Sequence, residues 1–205
     1  MNLALRFLAG FLIGSIPFAK VAMLGTGIDI TKVGSRNPGF NNVLRVSSKW
    51  RAAIALVGDI SKGFVALFLL SRAETAPAAK WLIGIAPVMG HCWSPLLGFN
   101  GGKGVATTVG VLLFLEPRLT VVCLPLYPLL RLFGRKMGWR QEGAVSSLTT
   151  MFVISTAVFA LRGPESGIFA YLMFAIVVVR HAPNLAEIVA PKRGTEHKRH
   201  KRHKK

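Results

Sequence analysis

The sequence predicts an all-α polytopic membrane protein of about seven transmembrane helices, with its N-terminus outside and its C-terminus in the cytoplasm. Three observations carry that reading. Of 205 residues, 52% are hydrophobic and 17% charged, with a mean hydropathy of +0.48, whereas a soluble domain carries about a quarter charged residues. The apolar residues are gathered into long runs, several of them near the roughly 20 residues that a helix needs to cross the hydrocarbon core. The 26 Lys and Arg far outnumber the 8 Asp and Glu, for a net charge of +18, and they fall unevenly among the polar connections. Such hydrophobicity excludes a disordered chain. It also argues against nucleic-acid binding, which needs basic residues on a folded polar face that most of this chain does not have.

In chain order the predicted spans are 3–24, 52–71, 81–99, 104–115, 119–130, 144–161 and 167–179. The first has Arg6 ahead of an apolar stretch, as a signal peptide would. Gly14-Ser15-Ile16-Pro17 interrupts that stretch and no small-x-small cleavage pattern precedes Lys20, so it is read as a retained helix. The fourth and fifth spans are too short to cross upright alone, and Glu116-Pro117-Arg118 between them predicts a tight turn at one interface. With seven crossings, the connections 25–51, 100–103 and 131–143 share one side with the tail from residue 180, and together hold 19 basic residues. The other side holds five: Arg6, Arg72, Lys80, Arg118 and Arg162. The positive-inside rule puts the richer side in the cytoplasm.

Residues 1–190 are predicted as a single membrane domain, and 191–205 as a disordered polybasic tail that fixes topology. Near anionic lipid, each base in the tail would add about 1 kcal/mol of attraction. Cys92 and Cys123 lie in apolar surroundings without CxxC spacing, so both are read as buried packing residues. No metal site or cofactor is predicted.

The residues that carry chemistry gather on the basic side. The stretch from Gly25 to Arg45 contains Asp29, Ser35, Asn37 and Asn42 among several glycines. Glycine lets backbone approach a ligand, Ser and Asn donate hydrogen bonds, and Arg can grip a phosphate through two parallel N–H bonds. The plain alternative is a turn around Asn37-Pro38-Gly39. A second candidate is Asn100-Gly101-Gly102-Lys103-Gly104, just ahead of an apolar run. Backbone amides of a glycine loop at a helix N-terminus form an anion site, to which Lys103 adds charge. Its spacing is not that of a Walker A loop.

Ionisable residues also lie inside apolar spans, where they usually face a polar cavity or a partner. Asp59 and Lys62 are three apart on one helical face and can neutralise each other. His91 is a candidate general base, or else a core histidine that makes one hydrogen bond.

Taken together and in order, these motifs resemble the PlsY-type acyl-phosphate:glycerol-3-phosphate acyltransferases of bacteria. The matching pieces are Gly14-Ser15-Ile16-Pro17, Gly34 to Arg45, Asp59-x-x-Lys62-Gly63, Gly90-His91, Phe99 to Thr107 and Arg180-His181-x-x-Asn184-Leu185. The resemblance implies a compact seven-helix enzyme of the bacterial inner membrane with its active site facing the cytoplasm. It implies transfer of a fatty acyl group from acyl phosphate to the sn-1 hydroxyl of glycerol 3-phosphate, giving lysophosphatidic acid and phosphate for phospholipid synthesis. Neither a metal nor a cofactor is implied, and the functional unit would be a monomer.

Residue by residue, the resemblance places Ser35, Asn37, Asn42 and Arg45 in a first phosphate motif and Gly101, Gly102, Lys103 and Gly104 in a second. His91, His181 and Asn184 would line the reaction centre, and Ser147 would be what remains of a Ser-rich third motif in which Ala144 replaces a Ser. Lys103 and Arg45 would stabilise the leaving phosphate, with His91 or a phosphate oxygen as base. Arg36, Phe40 and Asn41 stand where the family has Gly, Ala and Thr, and Thr31 where Arg is common. These departures leave open an altered acceptor pocket, hence a divergent paralogue with another acceptor. The remaining rival, an anion or phosphate-ester transporter, should show internal repeats, and the two halves show no convincing one. The His-x4-Asp signature of acyl-CoA-type acyltransferases is absent, since Leu96 and Ala186 stand five residues after His91 and His181.

Overall fold

A computed structural model describes residues 2–72, 74 and 76–190 and is helical throughout its regular structure. The predicted tail lies outside the described residues. The helices are α1 (Leu3–Gly14), α2 (Phe18–Ala22), α3 (Phe40–Val46), α4 (Lys49–Leu70), α5 (Pro77–Cys92), α6 (Val105–Leu115), α7 (Pro117–Cys123), α8 (Leu126–Lys136), α9 (Glu142–Arg162), α10 (Pro164–Arg180) and α11 (Ala182–Val189).

Local chemistry sets most of these boundaries. Asn2 and Ser48 cap α1 and α4 by accepting from the amides of Leu5 and Arg51, and Pro77, Pro117 and Pro164 open α5, α7 and α10, where a missing N–H costs nothing. Gly163, with φ of 86°, turns the chain between α9 and α10. The interruption read at Ser15-Ile16-Pro17 is where α1 ends and α2 begins, and Glu116 is the single residue between α6 and α7.

By length and composition three segments can cross a membrane: Leu3–Ala22, Lys49–Leu70 and Glu142–Arg162. A fourth is formed if α10 and α11, bent by 61° at His181, count as one span. Two predicted spans change shape. The third stops at Cys92 instead of running to Phe99, because Pro95 interrupts the ladder and Gly98 and Phe99 adopt positive φ. The fifth divides at Leu124-Pro125 into α7 and α8. Helix α8 is amphipathic, with Leu129, Leu132 and Phe133 exposed beside Arg131, Arg135 and Lys136.

One core cluster includes Leu67, Ile83, Val88, Val111, Ile154, Val158 and Met173, from α4, α5, α6, α9 and α10. A second joins Ala19, Met23, Ile30, Val43, Ala52 and Ala55, fastening α2, α3 and their connection onto α4. Cys92 is fully buried, while Cys123 is only half-buried against the first cluster. Outward positions such as Leu8, Leu12, Val57, Leu69, Val122 and Leu161 are exposed and apolar, which suits lipid rather than water.

Where lipid is as apolar as the side chains, helices associate by close packing through small residues. A Cβ on Gly63 would overlap the Thr107 carbonyl, and one on Gly110 the Ile60 carbonyl, so α4 and α6 cross with their backbones in contact. Gly14 and Gly90 do the same for α1 and α5, against Pro87 and Phe11. Overpacking costs about 1–3 kcal/mol even where side chains can yield, and backbone cannot. Gly110→Val should therefore lower the thermal unfolding midpoint in detergent clearly, with Val111→Ile as the control for added bulk in the same helix.

Candidate active site

Three ionisable side chains are buried together, Asp59 and Lys62 on α4 with His91 on α5, each 8% exposed or less. The Lys62 ammonium lies 2.9 Å from the Ile16 carbonyl, 2.8 Å from His91 Nδ1 and 2.9 Å from Asp59 Oδ1. The last contact is an ion pair rather than an aligned hydrogen bond. An ammonium has three N–H groups and no lone pair; Ile16 and His91 take hydrogen bonds from it, and Asp59 supplies the countercharge. One partner comes from the break between α1 and α2, one from α4 and one from α5.

His91 Nδ1 lies 2.8 Å from the Lys62 ammonium and 3.4 Å from Asp59 Oδ1; the shorter contact is with a group that can only donate, so a charged Lys62 leaves Nδ1 bare and the proton on Nε2. That edge of the ring faces Gly102, where a Cβ would collide with Nε2. His91 therefore presents a donor to the glycine loop.

The loop is held against α5 by its own backbone. The Gly101 amide donates to the Cys92 carbonyl at 3.1 Å and the Gly102 amide to the His91 carbonyl at 3.0 Å. Both are thereby consumed, contrary to the expectation that they would bind an anion. Arg180, at the end of α10, donates from Nη2 to the Gly101 carbonyl (2.7 Å) and from Nε to the Gly102 carbonyl (3.0 Å), with its guanidinium beside the Trp93 ring. Gly104, at φ 83°, turns the chain into α6, whose first-turn amides have no intrahelical acceptor.

Lys103 reaches across to Asn184 on α11, donating to its Oδ1. Burial brings the Lys103 ammonium down to about 8; Glu187 opposes that drop, and the charges of Arg180 and Arg45 add to it. His181, at the bend between α10 and α11, is buried and bonds the Val177 carbonyl through Nδ1 at 2.8 Å.

In the first loop, Asn42 is almost fully buried, and its side chain organises the turn. Its Nδ2 donates to the carbonyls of Ile30 (3.1 Å) and Val33 (3.0 Å), and its Oδ1 accepts from the Ser35 amide (2.9 Å). This amide shapes the loop and has nothing left for a phosphate. Asp29 likewise accepts from the amide and hydroxyl of Thr31, bonds that hold its carboxyl below the usual range. Ser35 and Arg45 are exposed and Asn37 half-buried.

Among the departures from the family pattern, Phe40 packs into the second core cluster, and Asn41 accepts from Arg131 of α8 at 2.8 Å. Arg36 is exposed at φ 58°, a left-handed conformation that explains a glycine preference there. Ser147 is buried and donates back to the Gly143 carbonyl of its own helix.

The structure thus brings His91, the 101–104 loop, Lys103, His181 and Asn184 to one place, with Arg45 near enough for its charge to bear on Lys103. Sequence reading gave no role to Arg180, Gln141 or Glu187. Arg180 stood inside a recognised motif and could have been singled out; the other two carried no signal. Among the described residues no three His, Cys, Asp or Glu side chains converge as metal ligands.

The fold and this site define a class: a helical integral membrane protein with a lysine and an arginine gathered at a glycine loop. The family model for Glycerol-3-phosphate acyltransferase matches residues 4–191. Glycerol-3-phosphate acyltransferases of Neisseria meningitidis serogroup A and Bordetella petrii are 38% and 35% identical over 191 and 192 residues, covering 89% and 91% of this chain and 91% and 88% of theirs. The crystal structure of PlsY, an integral membrane glycerol 3-phosphate acyltransferase, in its glycerol 3-phosphate form superposes with a TM-score of 0.80 at 26% identity, covering 91% of this chain and 92% of that one. Its lysophosphatidic acid form gives 0.79. The chain belongs to the glycerol-3-phosphate acyltransferase family.

Removing one member of a buried charge pair costs about 3–5 kcal/mol, because the other is left uncompensated. Lys62→Met should therefore destabilise the protein strongly, and Asp59→Asn in the Lys62→Met background should recover part of the loss. Thermal unfolding of the two single variants and the double in detergent checks this coupling.

Proposed function

We propose that this chain moves a fatty acyl group from acyl phosphate to the sn-1 hydroxyl of glycerol 3-phosphate, releasing lysophosphatidic acid and phosphate in phospholipid synthesis. The observation that carries the reading is Lys103, bonded to Asn184 and next to the glycine that faces His91, with the charge of Arg45 bearing on it, in a chain of this family. Donor and acceptor both bear phosphate, and two cationic loops suit two anions.

The acceptor oxygen attacks the acyl carbonyl, an ester forms, the bond from acyl carbon to the phosphate oxygen breaks, and the electron pair leaves with phosphate. Phosphate is a good leaving group, so the protein's work is positioning and charge stabilisation. Lys103 and Arg45 neutralise the leaving group, and the first-turn amides of α6 assist. His91, with its proton on Nε2, serves better as a donor than as a base. This favours a phosphate oxygen, whose second pKa is about 6, as the acceptor of the hydroxyl proton. Asn184 and His181 complete the wall around Lys103.

The site lies among the connections that hold most of the basic residues, which supports an active site facing the cytoplasm from a bacterial inner membrane, with seven crossings and an external N-terminus. The acyl chain would lie between helices within the bilayer, and a monomer holds all the residues invoked. The acceptor reading is supported by Phe40 packing against the second core cluster.

Detergent-purified protein given radiolabelled glycerol 3-phosphate should form lysophosphatidic acid with palmitoyl phosphate and none with palmitoyl-CoA; the reverse would overturn the donor assignment. Arg45→Ala and Lys103→Ala should each reduce turnover at least about 100-fold. The kcat/KM of the native enzyme should hold at lower pH and fall as pH rises through about 8, as Lys103 loses its proton. A limb that survives in Lys103→Arg would assign it to another group.

A further inference from the structure

We propose that Gln141 and Glu187 are positioning residues that fix which atom of Asn184 faces Lys103, a role that rests on the acyltransferase reading above. Four side chains form one line. Lys103 Nζ donates to Asn184 Oδ1, Asn184 Nδ2 donates to Gln141 Oε1 at 2.7 Å, and Gln141 Nε2 donates to Glu187 Oε2.

The two ends decide the direction of the whole line. An ammonium can only donate and a carboxylate can only accept. Between them each amide has one orientation that satisfies both neighbours, and the reverse would set donor against donor or acceptor against acceptor. The charge of Lys103 already favours the oxygen of Asn184, but an asparagine free at its other end could still turn that oxygen away toward water. Here the carboxylate of Glu187, transmitted through Gln141, holds the oxygen in place.

The backbone supports the same arrangement. Gln141 precedes α9 at φ 55° and ψ 40°, a left-handed conformation unfavourable to a residue with a Cβ, and its side chain makes no capping bond to that helix. Such outliers persist where surrounding structure holds them. Asn184 and Glu187 are three apart on α11 and so share a face. Next to Gln141, Arg140 donates to the Ala190 carbonyl at 2.6 Å and ties the same turn to the end of α11. The turn before α9 and the last helix are thus clamped together on the flank of Lys103.

Glu187 has a second effect. The charged groups bearing on Lys103 are Arg180 of α10, Arg45 of α3 and Glu187 of α11, with His181 at the bend close by. Of these Glu187 alone is anionic, so it keeps the proton on Lys103 against burial and the two arginines.

The test separates orientation from charge. Gln141→Met keeps length and the strained backbone but removes both amide bonds. Glu187→Gln can still accept from Gln141 but removes the charge. The direct readout is the pH dependence of Lys103 labelling by a small amine-reactive reagent in folded, detergent-purified protein, followed by mass spectrometry. The native midpoint should fall near 8. Both variants should move it to lower pH, with Glu187→Gln shifted by about half a unit or more. Midpoints unchanged in both variants, with native thermal unfolding, would overturn the proposal whatever acyl transfer shows.

In the kinetic assay, Gln141→Met should lose about tenfold in kcat/KM, mostly in kcat, as misplaced groups do. Glu187→Gln should move the basic limb in step with the labelling midpoint. Gln141→Met at native kcat would also overturn the proposal. A native enzyme inactive toward acyl phosphate would count against the functional reading alone, because the labelling midpoints do not depend on turnover.

Discussion

The Lys62 ammonium is the point on which the rest of the structure depends. Its three N–H groups meet the end of the first helix, a carboxylate on its own helix and the imidazole of α5. Inside a membrane protein such a charge is tolerable only when every donor has an acceptor. Once it is satisfied, the cluster fixes the relative height of α1, α4 and α5 and the rotation of the His91 ring. The ring then sets where Gly102 can lie, because no Cβ fits between them. Arg180 grips the two carbonyls that follow from this placement, and Lys103 emerges from the loop with Asn184 as its partner. The site is thus assembled outward from a buried charge, through backbone contacts, to the Lys103 cation at its edge.

Two loops show how loop-building and ligand-binding roles divide. Asn42 spends its side chain on Ile30, Val33 and Ser35, and the glycine amides at 101 and 102 are spent on α5. What remains available to a phosphate is charge rather than a ring of amides: Lys103, Arg45 and the opening turn of α6. Such a site would suit the two phosphate-bearing substrates of the proposed reaction held together, since charges are less demanding of geometry than a closed nest.

How far the sequence is legible follows from the range of each interaction. The break at Ser15-Ile16-Pro17, the turn at Glu116 and the Asp59–Lys62 pair are local, written within a few residues, and could be read directly. The end of α5 at Cys92 was hidden because residues 93–99 are as apolar as the helix before them, and only Pro95 and the positive φ at Gly98 and Phe99 interrupt it. The split at Leu124-Pro125 was hidden in the same way inside an apolar run. Lys103, His91 and Arg45 stood out by residue type and setting, and Asn184 only through the resemblance. The Lys62–His91 bond spans 29 residues and the Gln141–Asn184 bond 43. Neither partner carries a spacing that announces the other, and both contacts exist only once helices have packed.

The account turns on the protonation of one ring. If Lys62 donates to His91 Nδ1, the imidazole carries its proton on Nε2 and is a donor at the glycine loop. The most direct measurement is the nitrogen-15 spectrum of histidine-labelled protein in lipid bilayers near neutral pH, with His91→Asn used to assign the signal. The expected result is a neutral ring with bare Nδ1 and protonated Nε2. A neutral ring protonated on Nδ1 would contradict it and return His91 to the role of a base at Gly102.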